Sequence, residues 1–213
     1  MLYDELRLRF INKVADVLNL RLNNYTKLEL ARDVPFNISL LIKRYLHDKN
    51  INTILNRHLV TDRVKKRPEI IYNYSGSLDR QLKFLTIYIK QGKAINNKDK
   101  GLILKSYNKK HEIETKGSAK QYILDHYGNP KSLYRFEVEI NSEDSNKYIK
   151  SINAPMSLDI LFDQKCLRNM YYYFVGRVLR FRKGAKRILD WESILDNTTD
   201  KHPSQGKGLK SKN

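Results

Sequence analysis

Residues 102–114 read LILKSYNKKHEIE, and apolar and polar residues alternate in the first half of this stretch. Leu102 and Leu104 fall on one face of an extended strand, because successive side chains point to opposite faces. The opposite face carries a tyrosine between two lysines: Lys105, Tyr107 and Lys109. Taken alone, a half-buried strand with a solvated lysine face explains this pattern, since exposed Lys and Tyr are common on strands.

Two further stretches also place apolar and charged residues on opposite faces of a predicted strand. The strand predicted over residues 25–34 has leucines on one face and the acids Glu29 and Asp33 on the other. The strand predicted over residues 133–141 has an apolar face and an opposite face that carries Arg135, Glu137 and Glu139. If the three strands are neighbours, their charged sides form one surface, which we call the polar face. It would gather carboxylates beside a tyrosine and lysines.

The remaining pattern predicts an α+β fold. Runs rich in Ile, Leu, Tyr and Phe predict strands over residues 70–74 and 84–90, the second in an antiparallel hairpin with residues 102–108. We expect a single antiparallel or mixed sheet of about five strands, with helices packed on its apolar face and the polar face open to solvent. The residues expected in the core include Leu28, Leu104, Phe136 and Val138. Helices are predicted over residues 3–21, 37–48, 51–58, 117–127 and 165–187.

The composition favours a polyanionic partner. The 213 residues include 41 Lys plus Arg against 23 Asp plus Glu, a formal charge of +18, which repels itself in isolation. Nucleic acid is the commonest polyanion, and an anionic membrane surface is the rival. Cys166 is the only cysteine, which excludes an internal disulfide and a cysteine zinc cluster and fits a reducing cytoplasm. No apolar run approaches the ~18 residues of a membrane span, so we expect no membrane partner.

The chain fits one domain over residues 1–195, followed by a disordered basic tail over residues 196–213. Two segments of the domain are strongly basic. Residues 57–68 are predicted to form a loop, and residues 165–187 hold eight basic residues, no acid and interleaved aromatics. An amphipathic core helix with a basic outer face explains the second segment as well as nucleic-acid binding does. The predicted nucleic-acid contacts are Lys65, Lys66, Arg67, Arg177, Arg180, Arg182, Lys183, Lys186 and Arg187.

The polar face suggests phosphodiester chemistry. Carboxylates gathered on one sheet face repel one another unless a cation holds them. Oxygen ligands suit Mg²⁺ or Mn²⁺ rather than zinc, so Glu29, Asp33 and Glu137 are the predicted metal ligands. A hard metal that polarises a phosphate, beside a tyrosine able to form a covalent adduct, is equipment for cleaving and rejoining a phosphodiester. The sequence has no glycine-rich phosphate loop, so an ATPase is not expected.

Three short blocks carry a family resemblance: TKLELARD at residues 26–33, YNKKHE at 107–112 and YRFEVE at 134–139. They resemble the rolling-circle replication initiators, namely the replication initiation factor group of small plasmids and the filamentous-phage gene II and X proteins. Those blocks read roughly Thr-Arg-Ile-Asp-Leu-Ala-x-Asp, Tyr-Asp-Lys-x-x-Glu and Arg-x-Glu-hydrophobic. Their order and approximate spacing agree. Lys27 and Glu29 stand where the family has Arg and Asp, changes that keep the charge.

The resemblance implies a protein that nicks one DNA strand at an origin through a tyrosine, with a divalent metal, and leaves a free 3′-hydroxyl to prime synthesis. It implies catalytic roles for Tyr107, Lys109 and Arg135, the tyrosine as nucleophile and the cations against the phosphate charge. The His-hydrophobic-His metal motif of the wider nickase superfamily is absent, so metal binding rests on the acids. A helix-borne tyrosine is the nucleophile in related nickases, which makes three residues rivals: Tyr171, Tyr172 and Tyr173.

The partner implied by this resemblance is origin DNA, single-stranded or cruciform, in the cytoplasm. A homodimer and a host helicase are further partners to test. The alternative function is a DNA- or RNA-binding protein without catalysis, a decayed initiator. Both functions predict binding that weakens with salt. Only the enzyme predicts covalent capture of an origin strand in Mn²⁺.

Overall fold

A computed structural model describes residues 5–18, 26–59, 70–73, 85–90, 101–116, 120–154, 160, 163–184 and 187–196. These parts of the chain form seven helices and nine strands. The helices are α1 (Glu5–Val17), α2 (Ile38–His47), α3 (Lys109–Lys116), α4 (Gln121–His126), α5 (Ser142–Ser151), α6 (Gln164–Val178) and α7 (Trp191–Asp196). The strands are β1 (Lys27–Val34), β2 (Ile51–Leu55), β3 (His58–Leu59), β4 (Ile70–Asn73), β5 (Thr86–Lys90), β6 (Ile103–Asn108), β7 (Tyr134–Asn141), β8 (Leu179–Lys183) and β9 (Arg187–Leu189).

The predicted α+β fold is confirmed. The main sheet has five strands in the order β1-β7-β6-β5-β4, and each pair of neighbours is antiparallel. The predicted hairpin is present, because β5 pairs with β6 with Ile89 opposite Leu104. Strand β7 lies between β1 and β6, so the three strands that carry the polar face are direct neighbours.

The strand register arranges the polar face in rows. Arg135 of β7 lies opposite Asp33 of β1 on one side and opposite Tyr107 of β6 on the other. In the next row, Glu137 lies opposite Lys105 of β6. Directly opposed residues of antiparallel strands have Cβ atoms about 5 Å apart. The register therefore places Asp33, Arg135 and Tyr107 side by side, although they come from segments that are far apart in the chain.

The other face of the main sheet is the core. The four residues predicted to be buried there are each at most 5% exposed: Leu28, Leu104, Phe136 and Val138. Helix α6 covers this face, where the Tyr171 hydroxyl donates a hydrogen bond to the Phe136 carbonyl oxygen at 3.1 Å. Helix α7 adds Trp191, whose ring lies 5.0 Å from that of Phe136. Helices α6 and α7 thus lie on the side of the sheet opposite the polar face.

Two predictions of helix are wrong. Residues 51–58 form β2 and the start of β3, and helix α6 ends at Val178, so residues 179–183 form β8. These strands belong to a second sheet with the order β3-β2-β8-β9, which was not predicted. Leu179 and Phe181 alternate with exposed or half-buried arginines and are themselves fully buried. Residues 179–183 pair with β2 through backbone hydrogen bonds. A longer helix would also have satisfied those backbone groups, so the partner strand decides between the two structures.

Lys109 was predicted on the strand face, but it begins helix α3. Asn108 caps this helix, since its side-chain oxygen accepts a hydrogen bond from the His111 backbone at 2.9 Å. The helix predicted over residues 117–127 is present as α4, with residues 117–119 outside the described parts. Most of the predicted tail, residues 197–213, is likewise outside them. Among the described helices, none is both long and apolar enough to cross a membrane.

Candidate active site on the polar face

An open pocket of about 510 Å³ lies on the polar face. Strands β1, β5, β6 and β7 and helix α3 contribute to its walls. Its lining includes all but one of the predicted catalytic and metal-binding residues: Glu29, Tyr107, Lys109, Arg135 and Glu137. The three sequence blocks that resemble replication initiators therefore converge on one pocket.

Tyr107 and Glu137 form the centre of this pocket. The Tyr107 hydroxyl donates a hydrogen bond to Glu137 Oε2 at 3.2 Å, and the Glu137 side chain is only 9% exposed. Burial, and next the charge of Glu137, raise the pKa of Tyr107 well above its ordinary value. The phenol therefore keeps its proton at neutral pH. Glu137 is the group placed to accept that proton if the oxygen attacks an electrophile.

Lys105 holds three glutamates together. Its Nζ lies 2.7 Å from Glu139 Oε2, 3.3 Å from Glu137 Oε1 and 3.8 Å from Glu29 Oε1. A second lysine, Lys27, lies 2.9 Å from Glu29 and 3.2 Å from Glu139. Burial alone would lower the pKa of Lys105, but the hydrogen bond to Glu139 and the nearby charges raise it above its ordinary value. The lysine is thus a permanent cation in the middle of the carboxylates.

Asp33 lies in a different row of the sheet and forms a salt bridge with Arg135. Two hydrogen bonds of 2.6 Å join the Arg135 guanidinium to the two Asp33 oxygens. Burial alone would lower the pKa of Arg135, but the hydrogen bonds and charge of Asp33 raise it. Tyr127, in the turn after α4, lies near Asp33: burial, and next the charge of Asp33, raise the pKa of the Tyr127 phenol. Asp33 therefore orients an arginine instead of joining the glutamates.

Lys109 lies at the site on a helix and not on the predicted strand. Its side chain is 1% exposed, and its Nζ lies 2.5 Å from Glu112 Oε2, one turn further along α3. The same Nζ lies 5.7 Å from the centre of the Tyr107 ring. Burial is the main cause of a lowered pKa for Lys109, and the charge of Arg135 adds to it, against the effect of Glu112. The predicted cation beside Tyr107 is therefore present, although a helix supplies it.

The predicted metal ligands do not form one coordination sphere in this arrangement. Glu29 and Glu137 share the Lys105 ammonium, whereas Asp33 is engaged by Arg135. Across the part of the chain that the structure describes, no three His, Cys, Asp or Glu side chains converge as ligands of one metal ion. The set Glu29, Asp33 and Glu137 does not fit a single ion here, and binding of Mg²⁺ or Mn²⁺ stays a prediction.

The three rival tyrosines lie on α6, behind the sheet. Tyr171 is 3% exposed and donates to a backbone carbonyl, as described above. The Tyr172 hydroxyl donates to Asp196 Oδ1 at 3.0 Å, and the Tyr173 ring packs 4.9 Å from that of Tyr148. None of the three lines the pocket that holds Glu137.

Of the nine predicted nucleic-acid residues, the four whose side chains the structure describes lie at the end of α6 and on β8. Arg180 and Lys183 are exposed on β8 and Arg182 is half-buried there, so these residues lie on a strand and not on the predicted helix. Arg177 does lie on α6, but it is half-buried and donates to Asp144 Oδ1 at 3.2 Å. Lys65, Lys66, Arg67 and Lys186 lie outside the described residues, as does the side chain of Arg187.

Three residues received no site role in the sequence analysis, and of these only Glu112 lies in a quoted block. Tyr88 of β5 lies opposite Lys105 and lines the pocket, and Glu112 pairs with Lys109. The alternation of Tyr88 with two buried isoleucines would have located the tyrosine on the polar face. Tyr127 follows a short helix and comes near Asp33 only through the tertiary fold, so no sequence signal identifies it.

Comparison of the chain with protein-family models, curated proteins and solved structures finds no match in any of the three. The resemblance to replication initiators therefore rests on the three quoted blocks.

Proposed function

We propose that this protein is a rolling-circle DNA replication initiator that nicks one strand of an origin through Tyr107. The observation that carries the proposal is the hydrogen bond from the Tyr107 hydroxyl to Glu137 inside an open pocket. Two cations, Arg135 and Lys109, line the same pocket. A tyrosine paired with a base, next to positive charge, is what attack on a phosphodiester requires.

In the proposed reaction, Tyr107 Oη attacks the phosphorus atom while its proton passes to Glu137 Oε2. The bond between phosphorus and the 3′ oxygen breaks, and that oxygen takes a proton from solvent to become the free 3′-hydroxyl. The phosphate at the 5′ end stays on the tyrosine as a phosphodiester. General-base help is needed at this step, because burial and Glu137 raise the pKa of Tyr107 and so disfavour a preformed phenolate.

Arg135 is suited to bind the phosphate oxygens. Its Nε and Nη2 atoms donate to Asp33, and a guanidinium has five N–H groups, so the remaining ones can donate to an anion. The two bonds to Asp33 hold the group in place before the substrate arrives. A donor that is already oriented costs no reorganisation when charge develops on the phosphate.

Covalent capture tests the proposal. A pool of fluorescently labelled single-stranded oligonucleotides of random sequence is incubated with the protein in Mn²⁺ and, separately, in EDTA. Denaturing gels then detect DNA that is bound covalently. We expect the wild-type chain to form an adduct that mass spectrometry assigns to Tyr107. We expect no adduct with Tyr107→Phe, although this variant should still bind DNA in fluorescence anisotropy.

A matched control replaces Tyr172 and Tyr173 together with Phe, because these are the rival tyrosines that are not fully buried. We expect the adduct to persist in this variant. An adduct that survives Tyr107→Phe but disappears in the control would assign the nucleophile to α6 and Tyr107 to a supporting role.

The second candidate is a nucleic-acid-binding protein without catalysis. It is favoured by Arg180 and Arg182, which alternate with the buried residues of β8 and so share the outer face of the second sheet. Within the described residues neither arginine forms an ion pair, and the Arg182 Nε is buried without a hydrogen-bond partner. DNA binding that weakens steeply with salt, with no adduct under either condition, would support this candidate over the nickase.

A further inference from the structure

The carboxylates of the polar face converge on a cation that the chain itself supplies. Oxygens from Glu29, Glu137 and Glu139 all lie within 3.8 Å of one atom, the Nζ of Lys105. The three glutamates come from β1 and β7, and the lysine comes from β6, the other neighbour of β7. The lysine side chain is 21% exposed, so solvent screens these contacts only in part.

We propose that the Lys105 ammonium takes the place of the divalent cation that these gathered carboxylates would otherwise require. The polar face is then assembled, and holds its charges, without a bound metal ion. The inference deepens the proposed function, and its catalytic consequence rests on that function. Its structural claim concerns only which cation sits among the three glutamates.

The charge balance supports this assignment. The three glutamates contribute −3, and Lys27 and Lys105 contribute +2, so the cluster carries −1. Without Lys105 it would carry −2, with the three carboxylates facing an empty position. Carboxylates close together repel one another, and a hard divalent cation with oxygen ligands relieves that repulsion. The cluster is therefore complete with the lysine and becomes a cation site without it.

A free metal ion competes poorly with this lysine. The ammonium is tethered within the site, and displacing it would separate a charged group from all three of its partners. Of these partners, Glu137 and Glu139 are mostly buried. The displaced ammonium would lie beside the metal ion without a counter-charge, and an unpaired charge in a largely buried site is strongly unfavourable.

Mn²⁺ titration followed by electron paramagnetic resonance tests the structural claim without any DNA. We compare the wild-type chain with Lys105→Met, which keeps the length of the side chain but removes its charge. We expect Lys105→Met to bind Mn²⁺ at least about tenfold more tightly than wild type, because a positive charge within about 4 Å of the ion's position is removed. The gain should disappear when Glu137→Gln is added to Lys105→Met.

The matched control is Lys120→Met, which removes a lysine that also lines the pocket but pairs with one carboxylate, Glu112. We expect no gain in Mn²⁺ affinity there. Lys105→Gln serves as a second variant if the methionine variant does not fold. Wild-type protein that binds Mn²⁺ tightly through Glu137, or a Lys105 variant that folds and gains no affinity, would overturn the inference.

Adduct formation supplies the second readout. Wild-type protein should form the adduct equally well in EDTA and in Mn²⁺, whereas Lys105→Met should form it only in Mn²⁺. A wild-type adduct that requires Mn²⁺ contradicts the inference but leaves the proposed function standing. If wild-type protein forms no adduct under either condition, the proposed function fails, and the Mn²⁺ titration still decides whether Lys105 occupies a cation site.

Discussion

Arg135 and Asp33 face each other on neighbouring strands and form a two-point salt bridge, with Nε donating to Oδ1 and Nη2 to Oδ2, both at 2.6 Å. The Asp33 side chain is 7% exposed, so the pair is largely removed from water. On its other side Arg135 lies opposite Tyr107. The salt bridge therefore fixes the cation in the same row of the sheet as the proposed nucleophile, directly beside it.

Asp33→Asn should destabilise the fold strongly, because it leaves a buried guanidinium without its counter-charge. Removing one partner of a buried ion pair costs about 3–5 kcal/mol, and we expect the lower end since Arg135 is partly exposed. Urea unfolding followed by circular dichroism measures the loss. Glu143→Gln, which removes the partner of Lys147 from an exposed pair, should cost far less, because solvent screens that pair. Equal losses in the two variants would contradict the prediction.

Glu137→Gln should abolish adduct formation while DNA binding survives or improves. The substitution removes the proposed proton acceptor and also a negative charge near the incoming phosphate. Loss of a general base lowers rates about 10²–10⁴-fold, which places the adduct below detection in a timed assay. Capture gels and fluorescence anisotropy measure the two properties separately. The same substitution at Glu143 is the control, and an adduct that forms at the wild-type rate in Glu137→Gln would exclude the proposed role.

Stability should fall in acid partly through Glu139. Burial alone would raise the pKa of this carboxyl, but hydrogen bonds from Lys105 and Lys27 outweigh burial and hold the pKa below its ordinary value. A carboxyl with a lowered pKa in the folded state contributes stability that is fully present above its unfolded value of about 4.3. That contribution is lost as the pH falls through the lower, folded value.

Unfolding free energies measured between about pH 6 and about pH 3 check this prediction, because the slope reports the difference in bound protons. The wild-type chain should lose more stability over this range than Glu139→Gln, whose amide does not titrate. Parallel curves for the two proteins would show that Glu139 does not contribute to the acid sensitivity.

DNA binding should weaken when Arg180, Arg182 and Lys183 are all replaced with Ala. Each lost phosphate contact should also flatten the plot of log K against log salt by about 0.9. These side chains lie on β8, where the arginines share the outer face and the lysine is exposed at the strand end. The matched control is Ala at Lys147 and Lys150, two exposed lysines of α5. A slope that does not change in the triple variant would assign β8 to a structural role.

Period-two alternation alone determined the two faces of the main sheet. The buried positions of Leu28, Leu104 and Phe136 and the convergence of Tyr107 and Glu137 on the other face follow from it, once the strands are neighbours. Side-chain direction along a strand is a local property of the backbone, and a one-residue slip would have moved every charge into the core. The sequence therefore carried this information in short stretches.

The tertiary structure decided which charges meet. The helix predicted over residues 165–187 would have included Arg180, but pairing with β2 and β9 makes residues 179–183 a strand. Asp33 and Glu137 share a face of the sheet. The register of β1 against β7 nevertheless pairs Asp33 with Arg135, whereas Glu137 forms its salt bridge with Lys105. Charged side chains interact over a few ångströms in space, at separations set by strand order and register, and these depend on contacts between residues far apart in the chain.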